Sequence, residues 1–277
     1  MTRLVVTGFA SLDHAIHLAG DIGKDRTTRI TWRDPAAWPR AGGCPVYIAM
    51  AAARQGLCAA PLTWIGDDAP GAALMAQCRA AGLDLSGIAA VAGRRSPVSI
   101  LACQPDGAVS CLYDPGFPGE HRLTSAQAGL ISAASHLCVT VGPGHLVGQI
   151  LDLAPATARL YWAVKNDADS FDAAARQRLS ARADVIFCNH AEQALIDGGN
   201  AIRVVTHGAR GAEVITLQGS AFAPAPARID VRDATGAGDT FAGGFIAAEM
   251  AGVLDPLAAV GAGMAAAAKL LTERQAS

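Results

Sequence analysis

The stretch Asp233-Ala234-Thr235-Gly236-Ala237-Gly238-Asp239-Thr240-Phe241-Ala242-Gly243-Gly244-Phe245 places a run of small residues directly before a helical segment. A Gly-Ala-Gly run at a helix start leaves several main-chain N–H groups without intrahelical partners. Small residues let an anion approach those groups closely, and the helix dipole favours it there. Asp239 falls in the first turn, with its carboxylate facing the same anion. A carboxylate in that place opposes simple phosphate binding. It suits phosphoryl transfer, because it can accept the proton of an attacking hydroxyl while the amides stabilise the moving charge. The plainer alternative is that Asp239 only complements the dipole and that Gly236 and Gly238 make a tight turn.

Working outward, two long helices close the chain, at about 236–250 and 256–271. Upstream, from His136, strands at 136–141, 160–164, 184–188 and 202–206 alternate with helices at 145–153, 170–181 and 191–196. That rhythm predicts a largely parallel sheet covered on both faces, a three-layer α/β/α arrangement. An antiparallel edge hairpin follows around Gly219, from 214–217 and 221–223. Nearer the start, 4–9 and 60–65 read as buried strands, and 45–55 and 71–81 as helices that end at Gly56 and Gly82. Residues 26–32 alternate as a half-exposed strand, and 98–103 with 109–113 flank the turn Pro105-Asp106-Gly107. The expectation is one α/β domain over 1–277 with a small β lid from about 23–41 and from 97–114.

The chain has 277 residues and is 51% hydrophobic and 5% aromatic, with a net charge of −2. No basic run offers a footprint for a nucleic acid backbone. Seven scattered cysteines without a Cys-x-x-Cys pair read as buried free thiols in a reducing cytoplasm. The start has neither a charged leader nor a cleavage site, and the Ala258–Ala268 stretch is too short to span a bilayer. These features predict a soluble cytoplasmic protein without a membrane partner. His14 and His17 fall on opposite strand faces, which makes a metal pair a poor reading. Trp32 and Trp38 suit a lid, a dimer contact or a ligand stack.

The Asp233–Phe245 segment resembles the C-terminal signature of the ribokinase-like (PfkB) carbohydrate kinase family. Gly42-Gly43 before a helix ending at Gly56 resembles that family's first signature. Gly66-Asp67-Asp68 with Gly71, Asn189-His-Ala-Glu192, and Thr206-His-Gly208 with Arg210-Gly211 resemble further family segments in the same order. The resemblance implies an ATP-dependent kinase acting on a hydroxyl of a sugar or sugar-derived molecule, with Asp239 as general base. It implies an anion hole from the amides of Gly236, Ala237 and Gly238, and a substrate site including Asp13, Gly42, Gly43 and Tyr47. Thr206, Gly208, Gly211, Asn189 and Lys165 would meet the nucleotide. Asn189 and Glu192 would organise Mg2+ through water, and Asp233 with Thr235 would hold a monovalent cation, usually K+. A homodimer through the lid is also implied.

Three departures stand out. Tyr47 takes the place of a usual Asn, and an aryl hydroxyl cannot act as an amide does. The segment Val164-Lys165-Asn166-Asp167 offers Lys165 or Asn166 where the family has an Asn or Arg near the phosphates. The chain also ends at Ser277, soon after its last helix, where relatives often continue. Competing readings are a nucleoside kinase of the same fold, a metabolite-binding member without activity, and an NAD(P)-dependent oxidoreductase. The last rests on Gly142-Pro-Gly144 after a strand, with Asp167 or Asp169 downstream.

Overall fold

Leu4, Val5 and Val6 are fully buried, and they alternate between two separate apolar layers. A strand with an apolar layer on each side must lie inside a sheet covered on both faces. The computed structural model describes residues 3–33, 38–106, 109–117, 119, 121–229, 231 and 233–275. In chain order the strands are β1 (Leu4–Thr7), β2 (Ser11–Leu18), β3 (Ile30–Arg33), β4 (Arg40–Gly42), β5 (Ala59–Gly66), β6 (Ile88–Val91), β7 (Val98–Cys103), β8 (Val109–Asp114), β9 (His136–Val139), β10 (Arg159–Ala163), β11 (Val185–Asn189), β12 (Ile202–Thr206), β13 (Gly211–Thr216) and β14 (Gly219–Pro224). The helices are α1 (Cys44–Ala53), α2 (Ala69–Ala80), α3 (Ser125–Ser132), α4 (Val147–Leu153), α5 (Ala173–Arg182), α6 (Ala237–Met250) and α7 (Pro256–Gln275).

Nine strands form the main sheet in the order β14-β13-β12-β11-β10-β9-β1-β5-β6. It is parallel from β12 to β6, with β13 and β14 antiparallel at one edge. One apolar layer joins Leu4, Val6, Tyr161 and Phe187 to α1, α2, α6 and α7. The other joins Val5, Leu160, Trp162 and Ile186 to α3, α4 and α5. The expected three-layer α/β/α architecture is the one observed.

The chain winds from β1 outward through β5 to β6, then returns to β9 on the other side of β1 and proceeds outward again. A reversal of this kind opens a crevice at the carboxyl ends of the two strands that part there, β1 and β9. Gly8 stands at that point. A Cβ on it would lie 2.1 Å from Thr140 Oγ1 and 2.6 Å from the Val141 carbonyl oxygen. Only a glycine lets the two strand ends approach this closely.

The second sheet has the order β3-β2-β7-β8, with β4 also paired to β2. The expected strand at 26–32 is shorter, as β3, and residues 34–37 of the expected lid lie outside the described residues. The 98–103/109–113 hairpin is present as β7 and β8. Strands β2, β4 and β6 and helix α3 had not been expected. The expected helix at 191–196 is a single 3₁₀ turn, Glu192–Leu195. All seven cysteines are free, but Cys111 is exposed and Cys58 half-buried, so the expectation of uniformly buried thiols needs correcting. His14 and His17 pack edge-on against Trp38 and Trp32, which accounts for them as packing residues. No helix among the described residues is long and apolar enough to cross a membrane.

Helix α6 touches α1 on one side and α7 on the other through adjacent glycines. A Cβ on Gly243 would meet the Ile48 carbonyl oxygen at 2.5 Å and Ala51 Cβ at 2.6 Å, while one on Gly244 would meet Ala266 Cβ at 2.6 Å. The mid-helix penalty of a glycine, about 1 kcal/mol relative to Ala, is thus offset by two close helix contacts. Gly243→Val is expected to lower stability by about 1–3 kcal/mol through overpacking. Gly261 in α7 is exposed with open space around it, so Gly261→Ala should instead raise stability by roughly 0.5–1 kcal/mol. Urea titrations that shift the two midpoints in opposite directions at unchanged slope check this pair.

Candidate active site

The start of α6 is shaped by Gly236, its N-cap, which adopts φ 76°. A Cβ there would also lie 2.7 Å from the Tyr47 ring. Glycine is required on both counts, backbone and packing. The Ala237 N–H donates to the Ala234 carbonyl at 3.1 Å, and the helix ladder begins with Thr240 N–H to the Gly236 carbonyl at 2.8 Å. The amides of Gly238 and Asp239 lie between these two bonds, among the groups a helix start leaves without an intrahelical partner. Of the three amides expected to form the anion hole, Ala237's is therefore engaged inside the turn.

Asp239 is only 9% exposed. Its Oδ1 lies 3.5 Å from Nζ of Lys165, which follows the carboxyl end of β10. The Asp239 carboxylate holds the Lys165 ammonium above its usual range. Cys44, the first residue of α1, is pushed well above the usual thiol range by burial and then by Asp239. At physiological pH it is a neutral wall of the site, not a nucleophile.

Two cavities have lining residues next to Asp239. The first, of about 300 Å³, is mostly apolar and includes Thr206, Gly208, Gly211, Ala237, Gly238 and Phe241 in its lining. The second, of about 740 Å³, includes Ser11, Cys44, Ser99, Tyr113, Asp167 and Asp169. It also touches Phe9, Val141 and Gly142, so it sits in the crevice between β1 and β9. Gly238 lines the first cavity and precedes Asp239 in the chain. Cys44 lines the second and feels the Asp239 charge. The Asp239 carboxylate lines neither cavity but lies next to a lining residue of each, Gly238 in the chain and Cys44 in space.

Thr206, Gly208 and Gly211 thus come together as the sequence suggested. Asn189 ends β11 in register with Thr206 on β12. Asn189 N–H donates to Glu192 Oε2 at 2.8 Å, and Glu192 N–H donates to Asn189 Oδ1 at 3.0 Å. These reciprocal bonds explain the 3₁₀ turn. Glu192 also adds to the negative field at Lys165.

The expected substrate residues divide. Gly43 lines the larger cavity, whereas Asp13, Gly42 and Tyr47 lie behind its wall. Asp13, 3% exposed, accepts from Ser11 Oγ at 2.6 Å and from Tyr47 Oη at 3.1 Å. Burial pushes its carboxyl up, against the opposing pull of Ser11 and Arg40. A Cβ on Gly42 would lie 1.9 Å from Asp13 Oδ2. Tyr47 Oη accepts from Arg40 Nε at 3.0 Å, and Arg40 Nη2 lies 2.5 Å from Asp233 Oδ2. Arg274 Nη1 reaches Asp233 Oδ2 at 3.5 Å. Burial would push the Asp233 carboxyl up, but Arg40 and Arg274 outweigh it and hold the group below the usual carboxylate range. Sequence reasoning passed over Arg40 and Arg274, because a lone Arg in a strand or a terminal helix carries no motif.

Removing one guanidinium from a buried carboxylate leaves part of its charge unneutralised. Arg40→Met is expected to lower stability by up to about 3–5 kcal/mol. The pH dependence has a definite sign. Because the folded Asp233 carboxyl is depressed, its contribution is complete above the unfolded value and is lost as pH falls through the folded one. In Arg40→Met the folded value rises, so the acid-side loss of melting temperature should begin at a higher pH than in the unsubstituted protein. Melting curves across the acid range check this.

Comparisons with known proteins agree with this geometry. The pfkB family carbohydrate kinase model matches residues 1–277. An ATP-dependent ribose-1-phosphate kinase of Halopiger xanaduensis is 32% identical, over 74% of this chain and 72% of its own length. An acarbose 7(IV)-phosphotransferase of Actinoplanes is 29% identical, over 77% and 75%. Arabidopsis thaliana ribokinase, solved with ribose and ATP, superposes with a TM-score of 0.79 at 17% identity, over 96% of this chain and 91% of that one. The oxidoreductase reading falls away, leaving Gly142 in the loop after β9 and Gly144 as the first residue of a 3₁₀ turn, Gly144–Leu146. The chain belongs to the pfkB family of carbohydrate kinases and is an ATP-dependent phosphotransferase with a sugar acceptor.

Proposed function

We propose that the smaller apolar cavity takes the adenine end of ATP, that the larger one takes a polyhydroxy acceptor, and that Asp239 is the general base between them. The position of Asp239 next to lining residues of both cavities carries this reading. An acceptor hydroxyl in the larger cavity gives its proton to Asp239 as its oxygen attacks the γ-phosphorus, and ADP leaves toward the smaller cavity. The amides of Gly238 and Asp239, with that of Gly236 beside them, face the transferring group. Lys165 neutralises charge on it and holds the Asp239 carboxylate in place.

The acceptor is inferred to be a neutral sugar or sugar derivative. Ser11, Ser99, Asp167 and Asp169 supply hydroxyl and carboxylate partners for several hydroxyls, and Phe9 and Tyr113 supply aromatic faces for an apolar sugar face. Two carboxylates in this wall disfavour a second phosphate on the acceptor. The relatives named for ribose 1-phosphate and for acarbose differ too widely in acceptor to transfer either one. Asp13 and Tyr47 act from behind, by fixing Ser11 and the α1 start. This departs from direct contact of Asp13 with the substrate.

Asn189 and Glu192 fit an indirect role toward Mg2+. Their reciprocal bonds use one carboxylate oxygen of Glu192 and leave Oε1 outside that pair, which suits a water-mediated contact to a metal carried by the nucleotide. Bound Mg2+ would neutralise charge on the phosphates. The second sheet is inferred to act as the lid that excludes water, and the exposed Ile30, Val109 and Leu112 on it suit contact with a second copy. Seven free thiols fit a reducing cytoplasm.

A coupled ADP-release screen over pentoses, hexoses, sugar phosphates and nucleosides, with Mg2+ present, identifies the acceptor group. Neutral sugars should give turnover, and exclusive turnover of phosphorylated acceptors would sink the proposed acceptor class. Asp239→Asn should lower kcat by about 10²–10⁴, with a smaller change in KM. Near-normal turnover by that variant would exclude Asp239 as the base.

A further inference from the structure

We propose that the Arg274 guanidinium takes the place of the activating monovalent cation expected at Asp233 and Thr235, so that turnover needs no added K+ or Na+. The proposal rests on the kinase reading above and concerns how its anion-binding turn is held.

The oxygens a cation would use there already face one nitrogen. Arg274 Nη1 donates to the Asp233 carbonyl at 3.3 Å, lies 3.5 Å from Asp233 Oδ2, and donates to the Thr235 carbonyl. Its Nη2 donates to Tyr47 Oη at 3.5 Å, and the guanidinium sits over the Tyr47 ring, 5.8 Å from its centre. The side chain is 11% exposed, so this is a built position and not a surface contact.

Charge reinforces the geometry. Arg40 lies against the same Asp233 carboxylate oxygen, its Nη2 at 2.5 Å. The cluster therefore holds two guanidiniums against two buried carboxyls, Asp233 and Asp13, and burial pushes Asp13 toward its neutral form. An added cation would meet two fixed positive charges at close range and no carboxylate still lacking a counter-charge. In a partly desolvated site that repulsion is poorly screened.

The fold delivers Arg274 for a reason visible in its helices. α7 runs back along α6, in contact so close that a Cβ on Gly263 would meet the Phe241 carbonyl oxygen at 2.7 Å. The last turn of α7 thereby arrives beside the first turn of α6. A free ion must be bound and paid for in ordering at each assembly, whereas a tethered guanidinium is ordered once, by folding. Arg274 fixes residues 233–235, and those lead directly into Gly236 and the amides at the helix start. It is a positioning residue that acts through the loop.

The test compares the full-length protein in KCl and in tetramethylammonium chloride at matched ionic strength. Unsubstituted protein should show equal ADP-release rates in both salts, and a severalfold rise in KCl would overturn the proposal. Arg274→Ala should lower kcat by about tenfold to a hundredfold through misplacement of the turn, with less change in KM. Millimolar guanidinium or K+ should recover part of that loss. Full turnover by Arg274→Ala without either ion would also overturn it.

Thermal melts give a readout that needs no acceptor and no active variant. The unsubstituted protein should melt at one temperature in both salts, and a K+-specific rise would count against a filled site. Absence of turnover with every acceptor in both salts would sink the kinase reading itself, while the melts would still decide the role of Arg274.

Discussion

A buried carboxylate held between two guanidiniums organises the catalytic end of this molecule. Asp233 leads into the turn that opens α6, and it is reached by Arg40 from β4 and by Arg274 from the end of α7. Three segments far apart in sequence are thereby fastened at one point. An unpaired carboxylate could not persist in that environment, so the pairing is a condition of folding as well as of geometry. Tyr47 completes the arrangement by touching both guanidiniums and passing a hydrogen bond to Asp13.

The separation of the two cavities follows from sheet topology. Reversal of winding between β1 and β9 opens the larger cavity, and α7 with Ala225, Pro226, Ala227 and Ile229, just after β14, walls the smaller one. In the reading proposed above, the pair of cavities serves phosphoryl transfer because α6 begins beside both. Close packing of α6 on α1 and α7, through Gly243 and Gly244, sets that starting point.

Much of this was legible from residues alone, and the elements that were not share a cause. β2 escaped notice because Ser11 and Asp13 are polar residues buried against each other and against Tyr47, which hides the apolar alternation of a strand. α3 escaped because its capping box, Thr124 with Gln127, precedes a short Ala- and Gly-containing run of weak apolar pattern. Gln127 is fully buried and donates to the Thr63 and Gly87 carbonyls. The 191–196 helix shrank to one turn because Asn189 and Glu192 hydrogen-bond each other's backbone in place of continuing the ladder. In each case a polar side chain satisfied by a distant or local partner overrode the periodic signal.

By itself, the sequence determined the three-layer class, the two closing helices and the helix start that carries Asp239. Those depend on local spacing of apolar residues and on small residues at one turn. That Asp13 and Tyr47 do not line the larger cavity was decided only by tertiary structure, since Tyr47 hydrogen-bonds to Asp13 and Arg40 inside the cluster around Asp233. No local pattern can announce that Arg274, 41 residues from Asp233, will return to it. A guanidinium's position is set by helix packing across the whole chain, and charge neutralisation in a buried site is a property of the assembled cluster.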